Sequence, residues 1–476
     1  MMDKPPAWHL FERIRLADQH NNQPHKKNHP LLQQQGLSNK PSITLNASQL
    51  TEADIINAIQ SLKEIGGEIH LSEGSCVLTQ TLYLPSGITL SGVQGDRTNL
   101  IFKDIDYGIC IQGTVADPVI DVSLKNIRLF HEGTHKFCAS VFVSHAQRLQ
   151  IEHITISSPR GNGFLLADGV YQSTFLNCHV KCAGLVGFML VRDVRETLMK
   201  DCSAEYCLQS GVFLTDLQLP NHIDPLDFEA QLHHTDHIVG NFAPFSVNDP
   251  SPYRTDMLNC VFRHNRKMGI TTDGVGYLSV KNCIIAHNDC EGITIDNGAW
   301  GCSITACHIY NNGWRGHQQT IELGIDFVNE MGLMADGSSK AKLPGISIDN
   351  AAFTRIENNH IECNWGDGVK MVRAAYASSI THNLIENNNR GVNDRFHYFG
   401  VLIGVAARQH PEQDDFASCN NQVIENDILG SHFAGVHLML GVTGNIIKQN
   451  HITGATYTAI EDHVLSGNMI QPMLHT

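Results

Sequence analysis

Three aspartates fall into one register along this chain, with a lysine and an arginine close to it. Gly269-Ile270-Thr271-Thr272-Asp273, Gly292-Ile293-Thr294-Ile295-Asp296 and Gly345-Ile346-Ser347-Ile348-Asp349 each end on an aspartate. A fourth phrase, Gly368-Val369-Lys370-Met371-Val372, puts Lys370 two residues before that register, with Arg373 just beyond it. The phrases alternate with the two-residue period of a strand, so Ile and Met point one way while Thr, Ser, Lys and the terminal Asp point the other. On adjacent strands of one sheet the three carboxylates would lie about 5 Å apart. Three such groups need a compensating cation, Lys370 or Arg373, or a shared proton. A shared proton makes an acid/base pair available. Paired carboxylates about 5 Å or 10 Å apart could also flank a glycosidic bond. The alternative is structural: each Asp opens a turn, as the pairs Asp296-Asn297 and Asp349-Asn350 would suit.

A repeat must place these phrases. Aligned on one turn position are Asn126, His153, Cys178, Cys202, Cys260, Cys283, Cys307, Asn359, Asn383, Asn426 and Asn450. Cys178 to Cys202, Cys283 to Cys307, Asn359 to Asn383 and Asn426 to Asn450 are each 24 residues apart, which sets the coil length of a solenoid. Five residues on runs a second column, Asn265, Asn288, Asn312, Asn364 and Asn388. Stacked Asn side chains hydrogen-bond from coil to coil and satisfy buried turn backbone, so these columns are structural. The Cys in the first column read as small buried residues in the same slot.

The period breaks three times, with 58 residues from Cys202 to Cys260, 52 from Cys307 to Asn359 and 43 from Asn383 to Asn426. Excursions near 217–254, 314–344 and 390–421 follow, and such insertions often gather on a binding face. The second lies between the Asp296 and Asp349 strands and carries Trp314, Arg315 and His317, which could stack on and orient a substrate. The first holds His233, His234, Asp236 and His237 with Phe242, Phe245 and Tyr253, candidates for a lid or simply a cover. Outward Leu165, Met189 and Phe213 on earlier coils could line a small-molecule pocket or be covered by the loop after Asp216.

Ahead of the repeat, residues 1–41 form a polar arm with a short amphipathic helix on Trp8, Phe11 and Ile14. Residues 42–66 form a capping segment. Within it Thr51-Glu52-Ala53-Asp54 opens a helix whose apolar face is Ile55, Ile56, Ala58, Ile59 and Leu62, and Gly66-Gly67 ends it. Such a helix covers the open end of a solenoid. Glu68-Ile69-His70-Leu71 and Leu82-Tyr83-Leu84-Pro85-Ser86-Gly87-Ile88-Thr89-Leu90-Ser91-Gly92 come next as strands divided by turns.

A helix, Gly-Gly, a strand and then Leu-Pro-Ser-Gly-Ile-Thr-Leu resembles the opening of the pectin-lyase-like right-handed parallel β-helix superfamily. The resemblance implies an all-β solenoid of about twelve coils with an N-terminal capping helix, the β-helix running over 67–470. It also implies a carbohydrate-active protein, since the superfamily holds polysaccharide lyases, uronate epimerases, glycoside hydrolases, esterases and tail-spike adhesins. In lyases and epimerases a cation or acid neutralises a substrate carboxylate and a Lys, Arg, His or Tyr removes the adjacent C5 proton. Asp273, Asp296 and Asp349 would supply the first role, directly or through Ca²⁺, and Lys370 or Arg373 the second. The polygalacturonase series Asn-Thr-Asp, Asp-Asp, His-Gly and Arg-Ile-Lys is not present in order; its carboxylates precede the strand glycine, where this chain has Met268, Glu291, Pro344 and Asp367. The Asp-Pro-His signature of mannuronan epimerases is also missing. The expected activity is therefore that of a lyase or epimerase on an acidic glycan. A paired-Asp glycoside hydrolase, a non-catalytic glycan-binding module and a small-molecule tailoring enzyme are the alternatives.

Composition narrows the partners. A formal charge of −15 and a pI near 5.9 argue against nucleic acid, whose phosphates need clustered Lys and Arg. No apolar run is long enough to span a bilayer. Met1 to Arg15 does not read as a secretory signal, and fourteen Cys without one fit reduced thiols in a cytoplasm, with secretion by another route left open. The Cys spacing is not that of a zinc ribbon, so no metal or cofactor is required, Ca²⁺ at the Asp row apart. The expected partner is a glycan or other small acidic substrate.

Overall fold

The computed structural model describes residues 40–46, 50–135, 137–215, 253–296, 298–315, 342–391, 397–404, 417–430, 432–462 and 467–471. The arm up to residue 39 with its expected short helix, His317, and the parts of the three excursions within 216–252, 316–341, 392–396 and 405–416 lie outside them. Among the described residues there are 38 strands and one α-helix. The strand pairings are parallel and join each coil to the next, which is the expected right-handed parallel β-helix.

Three strands make one coil. Ile293–Asp296, Ser303–Thr305 and His308–Tyr310 are followed by Ile346–Asp349, Arg355–Glu357 and His360–Glu362, and each pairs with its counterpart in that next coil. The stacks are called the first, second and third sheets below. Alternation sends Ile270, Ile293, Ile295, Ile346, Ile348, Val369 and Met371 inward, fully buried in one continuous core, while the intervening Thr, Ser, Lys and Asp stay on the outer face.

The recurring glycine has a steric origin. A Cβ at Gly269 would lie 2.9 Å from Asn288 Nδ2 and 2.7 Å from the Gly292 carbonyl; at Gly292 it would lie 2.9 Å from Asn312 Nδ2 and 2.6 Å from the Gly345 carbonyl. The Asn column thus packs against the start of each first-sheet strand. Each Asn has its Oδ1 accept from the backbone N–H of the preceding coil: Asn364 from Asn312 at 3.0 Å, Asn388 from Asn364 at 3.0 Å. In the other column Cys sulfur takes the same part, Cys283 Sγ accepting from Cys260 N–H and Cys307 Sγ from Cys283 N–H, before Asn359 and Asn383 take over. Burial pushes the Cys202 thiol well above its ordinary value, consistent with a packing role.

Two details depart from the expected columns. Lys125 pairs with Glu152 and Glu152 with Leu176, so Asn126 and His153 stand level with Asn177, one residue before Cys178. Both have the left-handed conformation (φ 56° and 54°) shared by Asn177 and Asp201, and they belong to that turn position rather than to the buried ladder. A third ladder, Ser378, Asn421, Asn445 and Asn468, went unread in the sequence.

At the N-terminal end, Thr51 Oγ1 accepts from Asp54 N–H and caps the helix Glu52–Leu62. Ile55, Ala58, Ile59 and Leu62 are buried against strands Ser42–Leu45, Gly67–Leu71 and Gly74–Leu78. Segment 42–66 also supplies a strand of its own, since Ser42–Leu45 pairs with Gly67–Leu71. Outward Leu165 and Met189 are buried in a second apolar cluster with Phe137, Leu185 and Val186, separate from the core, with Phe213 packed at its edge. No helix among the described residues is long and apolar enough to cross a membrane.

Candidate active site

The outer face of the first sheet, from Thr215 to Val372, carries the charged row. Asp273 stands directly opposite Asp296, and Asp349 opposite Val372. Each Asp is the last residue of its strand. Beyond Val372 the chain turns through two left-handed residues, Arg373 (φ 47°) and Ala374 (φ 63°). That turn lays the guanidinium back along the row: Nε donates to Asp349 Oδ1, and Nη2 to Asp296 Oδ1 at 3.5 Å. Asp273 Oδ2 accepts from Thr215 Oγ1 at 3.1 Å. The Asp296 and Asp349 side chains are only 18% and 15% exposed, so their pairing with Arg373 is partly shielded from water. The turn role is real as well, since the Asp296 carbonyl accepts from Ala299 N–H at 3.1 Å. Backbone closes the turn while the side chain serves the ion pair.

Lys370 belongs to a different group on the same face. It pairs with Ser347 on one side and Leu402 on the other, and its side chain makes no hydrogen bond among the described residues. Its charged neighbour is Asp367, three residues earlier. Asp367 is 5% exposed, and Oδ1 accepts from Phe399 N–H of the following coil at 2.7 Å. Burial raises its carboxyl from the ordinary range to about 6, against the opposing pull of the Lys370 ammonium and the backbone N–H groups. This group therefore exchanges its proton near neutral pH, beside a lysine on an outer face.

Glu291 occupies the same position before its strand glycine, two coils earlier, with Pro344 between them. Gly269 N–H donates to the Glu291 carbonyl and Gly345 N–H to that of Asp367. Glu291 is 6% exposed, and its Oε2 is buried with no hydrogen-bond partner among the described residues. Both positions were visible in the sequence, but only as sites where a polygalacturonase pattern failed. What the sequence could not show is that the fold buries them.

Trp314 and Arg315 lie at the other edge of the strip, at the turn before the strand glycines. Trp314 Nε1 donates to Asp289 Oδ1 at 2.6 Å, Arg315 Nη1 lies 3.0 Å from Asp289 Oδ2, and the guanidinium sits 5.0 Å over the indole. Nearby, Lys342 and Arg390 lie over the Trp365 ring at 5.5 and 5.4 Å. The structure thus brings Asp273, Asp296, Asp349 and Arg373 together at the strand ends, sets Lys370 with Asp367 mid-strip, and leaves Trp314 and Arg315 at the strand starts. An open cleft lined by Gln147, Tyr171, Gln172, Arg195 and Glu196 lies on other coils and holds none of these residues.

Residues 248–404 match the family model described as the right handed beta helix region. No curated protein matches the chain in sequence. Among solved structures, the Azotobacter vinelandii mannuronan C-5 epimerase AlgE4 A-module is similar with a TM-score of 0.57 at 14% identity, covering 88% of this chain and 96% of that one. The catalytic domain of a GH87 alpha-1,3-glucanase in complex with tetrasaccharides gives 0.53 at 11% identity, over 91% and 70% of the two chains. PfbA, a surface adhesin of Streptococcus pneumoniae, gives 0.51 at 11%, over 88% and 93%. At these identities the likeness is one of fold: the chain is a right-handed parallel β-helix.

Proposed function

We propose that this chain is a carbohydrate-active enzyme that acts on an acidic, uronate-containing glycan by abstracting a proton next to a carboxylate, as a lyase or epimerase. The observation that carries the reading is Lys370 on the outer strip with the buried Asp367 carboxyl beside it. Arg373 is held by two carboxylates, and a guanidinium keeps its proton, so of the two bases considered Lys370 is the one suited to C5. Arg373 and the Asp row order the rim on which the sugar chain rests, with Trp314 a stacking surface at the opposite edge. Arg373 lies between Asp296 and Asp349, where Ca²⁺ would need oxygen ligands, so no step passes through a metal. That a C-5 epimerase module is built on a similar scaffold is in keeping with this chemistry.

A second reading rests on Glu291 and Asp367. Alternate coils put two carboxyl groups roughly 10 Å apart, near the range of an inverting glycoside hydrolase, and the glucanase of similar fold is an example of this scaffold carrying a hydrolase. Incubation with polyuronides separates the two: unsaturated ends absorbing in the ultraviolet, or deuterium uptake at C5, support the lyase or epimerase, whereas new reducing ends with neither support the hydrolase. Binding of the glycans without turnover would favour an adhesin.

A further inference from the structure

The third sheet carries a cluster that the proposed activity does not use. His308 pairs with His360, Tyr310 with Glu362, and Glu362 in turn with Glu386. Residues two apart on a strand share a face, so both imidazoles and both carboxylates emerge on one side. The rings of His308 and His360 stack at 4.8 Å and 10°, presenting the same edge in the same direction. His308 Nε2 is 2.8 Å from Glu362 Oε1, and His360 Nε2 is 2.8 Å from Glu386 Oε1 and 3.8 Å from Glu362 Oε2. One donor atom from each of His308, His360 and Glu362 lies within 4.8 Å of the others.

We propose that His308, His360 and Glu362 form a binding site for one divalent transition-metal ion of the Zn²⁺ class, with Glu386 orienting His360 beside it. A tetrahedral ion with bonds of about 2.0–2.1 Å sets its ligand atoms about 3.3–3.4 Å apart, and the 2.8 and 3.8 Å separations bracket that figure. The widest of the three separations, within 4.8 Å, must close by side-chain rotation when the ion binds. The site is also accessible, because the four side chains are 25–39% exposed. Two imidazole nitrogens with one carboxylate select a borderline ion such as Zn²⁺ over Ca²⁺ or Mg²⁺, which prefer all-oxygen shells. Two parallel strands at fixed spacing hold both histidines before the ion arrives, which is the preorganisation a metal site needs.

The test is ZnCl₂ titrated calorimetrically into the full chain after stripping with chelator, with Co²⁺ visible absorption as the coordination readout. The parent takes up one more tightly bound ion per chain than His308→Ala/His360→Ala. Glu362→Gln, which keeps side-chain shape and so guards against misfolding, binds at least about tenfold more weakly. His451→Ala, which removes the His451–Asp427 pair on the same sheet, changes nothing. Equal Zn²⁺ stoichiometry and affinity in the parent and Glu362→Gln, or no uptake by the parent at micromolar Zn²⁺, overturns the assignment and leaves the cluster as a ladder of ion pairs.

Discussion

Asp367 Oδ1 accepts a hydrogen bond from the backbone N–H of Phe399 at 2.7 Å, so one coil's buried carboxyl is tied to the backbone of the next. Its folded-state value of about 6 stands above the ordinary 3.8. Below about pH 4 both folded and unfolded chains hold this proton; between about 4 and 6 only the folded chain does, and stability falls as pH rises until the folded group ionises. The group accordingly costs the native state on the order of 1–3 kcal/mol above pH 6. Asn keeps the acceptor and cannot ionise. Urea midpoints for Asp367→Asn should therefore exceed those of the parent at pH 7 and converge with them at pH 4.

Removing the Lys370 amine tests its chemical role apart from its structural one. Lys370→Ala should lower kcat by roughly 10²–10⁴, the usual contribution of a general acid or base, with little change in unfolding midpoint. Lys370→Arg, which keeps the charge but holds its proton, should restore little activity.

Arg373 is the hub of the acidic row. Arg373→Gln leaves Asp296 and Asp349 facing each other without their guanidinium and should destabilise the chain by about 1–2 kcal/mol, less than a fully buried pair because the site is part exposed. Adding Asp349→Asn should recover part of that loss, and the double-mutant cycle on denaturation midpoints measures the coupling. Chelation with EGTA should leave turnover unchanged, since Arg373 supplies the row's positive charge.

The two columns should differ in cost. Asn364 donates to the Ile309 carbonyl at 3.1 Å and to Asn388 Oδ1 at 2.9 Å while accepting from Asn312, so Asn364→Ala strands several buried groups and should cost about 2–4 kcal/mol. Cys283→Ala removes a weak sulfur acceptor and a small volume, and about 1 kcal/mol is expected. Denaturant titration of the two variants checks the order.

The solenoid was legible because its cause is periodic: Asn312, Asn364 and Asn388 recur at the same turn of successive coils, and each satisfies backbone of the one before. The Asn126 and His153 register slipped by one because the left-handed position beside the ladder also favours Asn. The third ladder stayed hidden behind Ser378, a residue with no Asn signature. At the site, alternation was enough to align Asp273 with Asp296 and to set Lys370 on their face. Arg373's reach was not readable, since it depends on a left-handed turn that non-glycine residues rarely announce. Asp367 and Glu291 were seen as residue types, but their burial arises from contacts with other coils.

Whether Lys370 removes a C5 proton is decided by incubating the full chain and Lys370→Ala with a panel of polyuronides in deuterated water. The parent should yield unsaturated ends or deuterium at C5, and Lys370→Ala should lose both. Reducing ends alone, or silence across all the acidic glycans, would show that the strip does not carry this chemistry.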